Sequence, residues 1–366
     1  MSMGRLLALP VALGFGLGLA PMTFAAGGGV KVAVDEAAHR ADVTVDGKPF
    51  TSYLWETNQR KPVLYPLIAP DGTTVSRGYP YAMRPGERVD HPHHAGLWFN
   101  YGNANGFDFW NNSDAIPQAK RSTYGSVHQD RIVSAKSGAD AGDLVTESTW
   151  IEGDPVAGNT KPIMTQTMRY VFSKLTVGGQ PARAIDLVVT LKALDTVVFH
   201  DDKEGLLGIR VAHFLESPTE KGGLFMDANG NPTQVAAADP AGASGVYHTS
   251  AGVTGDAVWS TRGRWCTLTG QTTAADGGAG KTEMIAILDH AGNPGASPPY
   301  WHARGYGLFA VNPLGAHIFD AKTPALNVTI NKGESATFRY RVLFLSGAAT
   351  DAAMNAAADA FDKAAE

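Results

Sequence analysis

Apolar and polar positions alternate with a period of two along much of this chain. TQTMRYVF (165–172) and AIDLVVTLKA (184–193) show the alternation most plainly, as half-buried strands do. Similar runs cover residues 30–34, 41–45, 50–54, 144–151, 163–173, 184–194, 262–268, 282–288, 308–311 and 336–345. Turn strings such as VDGKP, APDGTT and DANGNP separate them. Strands do not alternate with helical segments, which argues against a parallel α/β sheet, and no internal repeat is present. One helical pattern stands out at residues 348–366, an Ala-rich run with Thr350 or Asp351 as its cap. The pattern predicts an all-β protein: one large antiparallel β-sandwich over residues 27–347, with a C-terminal helix at 348–366 packed on it.

Composition agrees. The chain of 366 residues has 42 Gly and 21 Pro with only 18% charged residues, which suits many short strands joined by turns. Net charge is −5 and no basic run occurs, so nucleic acid and anionic membranes are poor partners. The one cysteine, Cys266, sits in the apolar string RWCTLTG and cannot form an intrachain disulfide, so the core must hold the fold. Residues 1–25 read as a cleavable signal peptide, with Arg5 as its basic start, an apolar stretch to Phe24, and Thr23 and Ala25 as a small-x-small cleavage site. Pro10 and Pro21 interrupt that stretch, and no later segment is long and apolar enough to span a bilayer. The expectation is an exported protein of the periplasm or the cell exterior.

Three stretches carry candidate chemistry. The first, RPGERVDHPHHAGLWFNYGNANGFDFWNNS (84–113), packs His91, His93 and His94 beside Trp98 and Trp110. In an extended backbone His91 and His93 share a face and His94 points away. Two imidazoles on one face could move a proton or bind a divalent metal; the alternative is hydrogen bonding in a polar corner. The H-x-H spacing of His91 and His93 is the whole signal for metal, and no other cofactor is implied. The Gly, Asn and aromatic density around Asn105 suits a loop that stacks on a sugar. The second stretch, FHDDKEGLLGIRVAHFLE (199–216), offers Glu204 as an acid or base and Arg210 as a clamp for an anion or hydroxyl; the alternative is a solvated turn and a structural ion pair. The third, PPYWHARGYGLFAVNPLGAHIFD (298–320), would set His302, Arg304 and Tyr306 on one strand face as a binding wall. No G-x-S-x-G elbow, P-loop, dinucleotide fingerprint or H-E-x-x-H is present.

The strings DHPHHAGLWFNYGNANGFDFW, DKEGLLGIR and WHARGYGLFAVNPLG, in that order, resemble the methane oxygenase PmoA-like domain family over roughly residues 45–346. One departure is Ala95, where that family often has a basic residue. The resemblance implies the large antiparallel supersandwich of galactose mutarotases and secreted or periplasmic work on carbohydrate, with a sugar across a concave β face. The reading that follows is a carbohydrate-active enzyme cleaving a glycosidic linkage of an oligosaccharide or glycoside. Glu204, His94, His302 and Asp108 form the expected acid–base set. His91, His93, Trp98, Asn105, Trp110, Arg210, Arg304 and Tyr306 are the expected substrate contacts. The rivals are a sugar epimerase or lyase, a non-catalytic glycan-binding protein, and the metal-dependent oxygenase that the family label implies. The glycosidase reading requires the histidines, Glu204, Arg210 and His302 to converge.

Overall fold

The computed structural model describes residues 28–153, 160–238, 240–274 and 279–364. The segment read as a signal peptide lies outside them. Among the described residues twenty strands run in chain order. The first five are β1 (Val30–Asp35), β2 (Arg40–Val45), β3 (Lys48–Leu54), β4 (Val63–Leu64) and β5 (Leu97–Phe99). Next come β6 (Gly125–Lys136), β7 (Ala141–Glu152), β8 (Lys161–Val177), β9 (Gln180–Ala193) and β10 (Val197–Phe199). They are followed by β11 (Leu207–Arg210), β12 (Lys221–Met226), β13 (Pro232–Ala237), β14 (Val246–Thr249) and β15 (Trp265–Thr273). The last are β16 (Ala279–Asp289), β17 (Tyr300–Arg304), β18 (Leu308–Asn312), β19 (Val328–Ile330) and β20 (Ser335–Ser346). Two α-helices are present among the described residues, the short α1 (Ala316–Phe319) and α2 (Asp351–Lys363).

Two eight-stranded antiparallel sheets dominate. The first has the order β1-β2-β3-β4-β5-β11-β18-β17 and the second β14-β15-β16-β20-β9-β8-β7-β6. The alternation in the sequence is what joins them. Met168, Tyr170 and Phe172 of β8 and Leu187, Val189 and Leu191 of β9 turn to one side, where they meet Phe50, Leu97, Phe99, Leu207 and Ile209 of the first sheet in one core cluster. Phe50 stands edge-on to both Phe172 and Phe344, at 6.2 and 5.8 Å between ring centres, and so links the layers. The β8–β9 hairpin closes through Gly178 and Gly179, both at positive φ, a two-residue turn that only glycine makes without strain. The expected all-β antiparallel sandwich is therefore what this sequence forms.

The outer face of the second sheet carries α2. Thr350 caps it, accepting from Ala353 N at 3.3 Å, and Met354, Ala358 and Phe361 pack on Trp265, Met284, Leu288 and Leu343. The outer face of the first sheet carries the candidate chemistry. Because Leu97, Phe99, Leu207 and Ile209 face the core, Trp98, Gly208 and Arg210 must face the other way. Register aligns Trp98, Gly208, Ala310 and His302 in one row across β5, β11, β18 and β17, and Arg210, Leu308 and Arg304 in the next. The loop-rich segment from residue 78 to 113 covers part of this face. Some expectations shift: the strand expected at 262–268 lies at Trp265–Thr273, and Tyr306 falls in the turn between β17 and β18, not on the strand with His302 and Arg304.

Candidate functional site

The three histidines do not lie in an extended segment. His94 N donates to His91 O at 3.0 Å, making a turn with Pro92 at its second position, where proline's fixed φ fits. The turn reverses the expected pairing. His91 and His94 are now the parallel pair, with ring centres 5.0 Å apart and planes 6° apart, while His93 stands edge-on to both. The stack continues in both directions: Tyr306 lies on His91 at 5.1 Å and Trp98 lies under His94 at 5.1 Å. A four-ring column thus runs from the surface to the sheet.

Asp90 and two arginines hold that column in place. Asp90 Oδ1 accepts from Arg210 Nη2 at 2.6 Å and Arg77 Nη1 at 2.8 Å, and His91 Nδ1 is 3.3 Å away. Burial alone would raise the Asp90 pKa. The His91 hydrogen bond and the two guanidinium charges outweigh it and keep the carboxyl well below its usual range. Arg77 Nη2 also donates to the carbonyls of His91 and His94, at 3.1 and 2.8 Å, pinning both ends of the turn. Arg210 is fully buried and lies 4.8 Å from the Tyr306 ring centre.

His94 is locked. Trp110 Nε1–H donates to its Nε2 at 3.1 Å, and Arg210 Nη1 is 3.4 Å from its Nδ1. A neutral imidazole offers one acceptor nitrogen, and both of its neighbours are donors. An imidazolium would face donors on both sides. Burial first, then the charge of His93 and of the arginines, accordingly drives the His94 pKa well down. His93 is pushed down to about 2, chiefly by burial, and its Nε2 has no partner. The role of His94 as a proton carrier does not fit this arrangement. Trp98 and Trp110 are likewise buried beneath the turn, not open to stack on a sugar; Trp110 lies against Gly208, the one residue of the row without a side chain to exclude it. Arg210, committed to Asp90, has no free fork for a ligand. Asn105 also falls outside the site. It sits at φ 55 in a turn, its Oδ1 accepts from Val198 N and its Nδ2 donates to Glu152 Oε1 at 3.0 Å.

Above this frame opens a cleft of about 560 Å³, within the range of small-molecule sites. Asp90, His91 and Tyr306 form one part of its wall, with Asp256, Trp259 and Arg304 beside them. His91 keeps 41% of its side chain exposed, so its edge is a part of the column that a ligand can reach. Arg304 lies over the Trp259 ring at 4.6 Å. Asp256 Oδ1 accepts from Ser217 Oγ at 2.8 Å. Asp90, Asp256, Trp259 and Arg77 were not among the residues nominated from the sequence.

Glu204 and His302 pair close to the cleft but are not part of its lining. His302 Nδ1 donates to Lys203 O at 3.0 Å and is 3.7 Å from Glu204 Oε2. That bond fixes the Nδ1–H tautomer, and burial pushes the His302 pKa down to about 3. Glu204, with 15% of its side chain exposed, has its pKa raised by burial against the pull of its bond from Lys203. Asp108 is held by Asn111, whose N and Nδ2 donate at 2.9 and 2.8 Å; burial still raises its pKa. The charges of Asp108 and Asp202 each push Glu204 further up, so these three acids share one neighbourhood. Among the described residues no group of three His, Cys, Asp or Glu side chains is placed to hold a metal, and the His91 and His93 rings stand at right angles, 5.7 Å apart, rather than side by side on one strand face.

The chain belongs to a family of unknown function, DUF6807, whose model matches residues 40–359. No curated protein matches it. Two solved structures are similar over most of the chain. The Slr1438 protein from Synechocystis sp. PCC 6803 is 8% identical, with 90% of this chain and 100% of that one covered at a TM-score of 0.29. A galactose mutarotase-like protein from Clostridium acetobutylicum is 11% identical, with 86% and 98% covered, also at 0.29. None of these matches carries the methane oxygenase label. No described helix is long and apolar enough to cross a membrane.

Proposed function

We propose that this DUF6807 member is an exported carbohydrate-active protein that binds an oligosaccharide in the 560 Å³ cleft and cleaves a glycosidic linkage there. The observation that carries the reading is the make-up of the cleft wall. The rings of Trp259 and Tyr306 offer apolar surface to sugar C–H groups, and Asp256, Ser217, Arg304 and the exposed edge of His91 offer hydroxyl partners. Glu204 is the proton donor of this reading. Its raised pKa keeps a proton available nearer neutrality than an ordinary carboxyl would, and its 15% exposure leaves it reachable. Lys203 Nζ holds Glu204, and neutral His302, held by Lys203 O, lies beside it. Asp108 is the second carboxylate. Residues 1–25 supply the export signal.

A second reading has one observation in its favour: Glu204 and His302 lie outside the cleft lining, as they would in a glycan-binding protein without turnover. One experiment separates the two. Purified protein is incubated with plant, algal and bacterial oligosaccharides and the products are read by mass spectrometry and NMR. The expected result is hydrolysis of at least one substrate and a loss of about 10² to 10⁴ in kcat for Glu204→Gln with KM little changed. Tight binding with no turnover would leave only the binding reading. An inverted centre or an unsaturated sugar would redirect it to an epimerase or lyase.

A further inference from the structure

We infer that the cleft is selective for glycans carrying an acidic group, a uronate carboxylate or a sulfate, and that Arg304 is the residue that reads it. This rests on the reading of the cleft as a glycan site and names the substrate class.

The inference begins from a census of charge. Arg88 is neutralised by Glu216, whose Oε2 is 3.2 Å from its Nε. Asp90 is spent between Arg77 and Arg210, a frame with one more guanidinium than carboxylate under the floor of the cleft. The charges left are the carboxylate of Asp256 and the cations Arg304 and Lys221, which line the cleft from two separate elements. Among the described residues no acid comes within ion-pair distance of either cation, and no protein acceptor takes a hydrogen bond from the Arg304 guanidinium or the Lys221 ammonium. The cleft is therefore positive in a chain whose net charge is −5.

Geometry then singles out Arg304. It ends β17 and is exposed, and its guanidinium is 4.6 Å from the Trp259 ring centre and 5.9 Å from that of Tyr306. Two aromatic faces fix the plane of the fork before any ligand arrives, so little side-chain freedom remains to be lost on binding. An exposed arginine normally wanders or finds a carboxylate partner; this one is held with its N–H groups unused beside the rings expected to seat a sugar. A planar fork of that kind matches a carboxylate or sulfate oxygen pair by two parallel bonds. Asp256, tied to Ser217 Oγ, remains as a hydroxyl acceptor on the same sugar.

The test uses matched trisaccharides of gluco, galacto and manno configuration, each as the neutral sugar, the C6-oxidised uronate and the C6 sulfate, titrated by calorimetry. The expected result is that at least one uronate or sulfate binds about tenfold or more tighter than its neutral partner in low salt, with the preference shrinking in about 1 M salt. Arg304→Gln should weaken the acidic sugar about tenfold or more beyond any loss it causes for the neutral partner, removing the preference, and Arg304→Lys should restore it only in part because the fork is lost. Circular dichroism and tryptophan fluorescence confirm that the variants are folded. Equal affinity for neutral and acidic partners, or a preference that survives Arg304→Gln, overturns the inference and leaves the glycan reading standing. No binding of any member overturns both.

Discussion

Removing Asp90 should be among the most damaging single changes in the histidine turn. Its carboxylate sits 2.6 Å from Arg210 Nη2 and 2.8 Å from Arg77 Nη1, and those arginines are 0% and 1% exposed. Asp90→Ala leaves two buried guanidiniums without a counter-ion. Breaking a buried pair from one side typically costs about 3–5 kcal/mol. Asp90 keeps 27% of its side chain exposed, so water can enter and the cost belongs at the lower end, about 3 kcal/mol. That is a large share of the roughly 5–15 kcal/mol that stabilises a typical fold. Asp90→Asn keeps an acceptor oxygen and loses the charge, so it should cost about half as much. Urea unfolding of the two variants and the parent measures both. The pH dependence adds a second check. The folded pKa of Asp90 lies below its unfolded value, so its contribution is fully present above the unfolded pKa, about 4, and is lost as pH falls through the folded one. The gap between parent and Asp90→Ala should stay constant from about pH 8 to 5 and close in stronger acid. A cost under about 1 kcal/mol, or a gap that widens in acid, would refute the counter-ion role.

Other expectations follow from the same geometry. Gly208→Ala would place a methyl 2.7 Å from both Trp110 and Trp98, and should cost about 1–3 kcal/mol in urea unfolding through overpacking. Trp259→Ala should raise KM on any sugar substrate several-fold or more, with a smaller effect on kcat, because it removes both a ring face and the platform under Arg304. His93, His94 and His302 all have folded pKa values below the unfolded one, so the unfolded chain binds more protons in acid; stability should fall as pH drops below about 6.5, by at most ~1.4 kcal/mol per pH unit for each. Their ring nitrogens, followed by NMR, should stay neutral at pH 6; a titration near the ordinary histidine value would count against the buried arrangement.

The sandwich was legible because its long strands are half-buried, and half-burial writes a period of two into β7, β8, β9 and β20. β6 was missed for the opposite reason. It is an edge strand, and its stretch His128–Arg131 is mostly polar and exposed, so no alternation marks it. β4 and β5, at two and three residues, are too short to show a period. Within the site, the residue types in the His-rich stretch were read correctly as a cluster, but their geometry was not. Pro92 was the available signal: an X-Pro-X-His turn brings the first and fourth residues together, where an extended chain would have joined the first and third. Asp90 stood inside the same stretch and passed unnoticed because a lone carboxylate has no spacing to announce it. Arg77, Asp256 and Trp259 come from unmarked segments, and only the packing of distant strands brings them near. Aromatic density misled at Trp98 and Trp110, since a ring seated over a glycine reads in sequence like a ring open to solvent.

The corrected site has two layers with different jobs, and that division decides how variants should be interpreted. In the lower layer, Asp90, Arg77, Arg210, His94, Trp98 and Trp110, the guanidinium, carboxylate and imidazole groups bond mainly to one another and to backbone, while Arg77 Nε, Arg210 Nε and Trp98 Nε1 stay without a partner. Apart from Asp90, which lines the cleft, such a layer is buried away from a ligand, and its substitution should appear first as lost stability. The upper layer, Tyr306, His91, Trp259 and Arg304, leaves rings and N–H groups unspent. Its substitution should appear as altered affinity in a protein that still folds. The ring column joins the layers, because His91 belongs to both: its backbone is gripped by Arg77 while its exposed edge lines the cleft. A change below should thus reach the cleft through Asp90 itself and through the tilt of His91. Loss of binding on disturbing Asp90 then combines its own place in the wall with the disturbed frame, and Glu204, outside both layers, remains the residue whose replacement can abolish turnover while sparing stability and binding together.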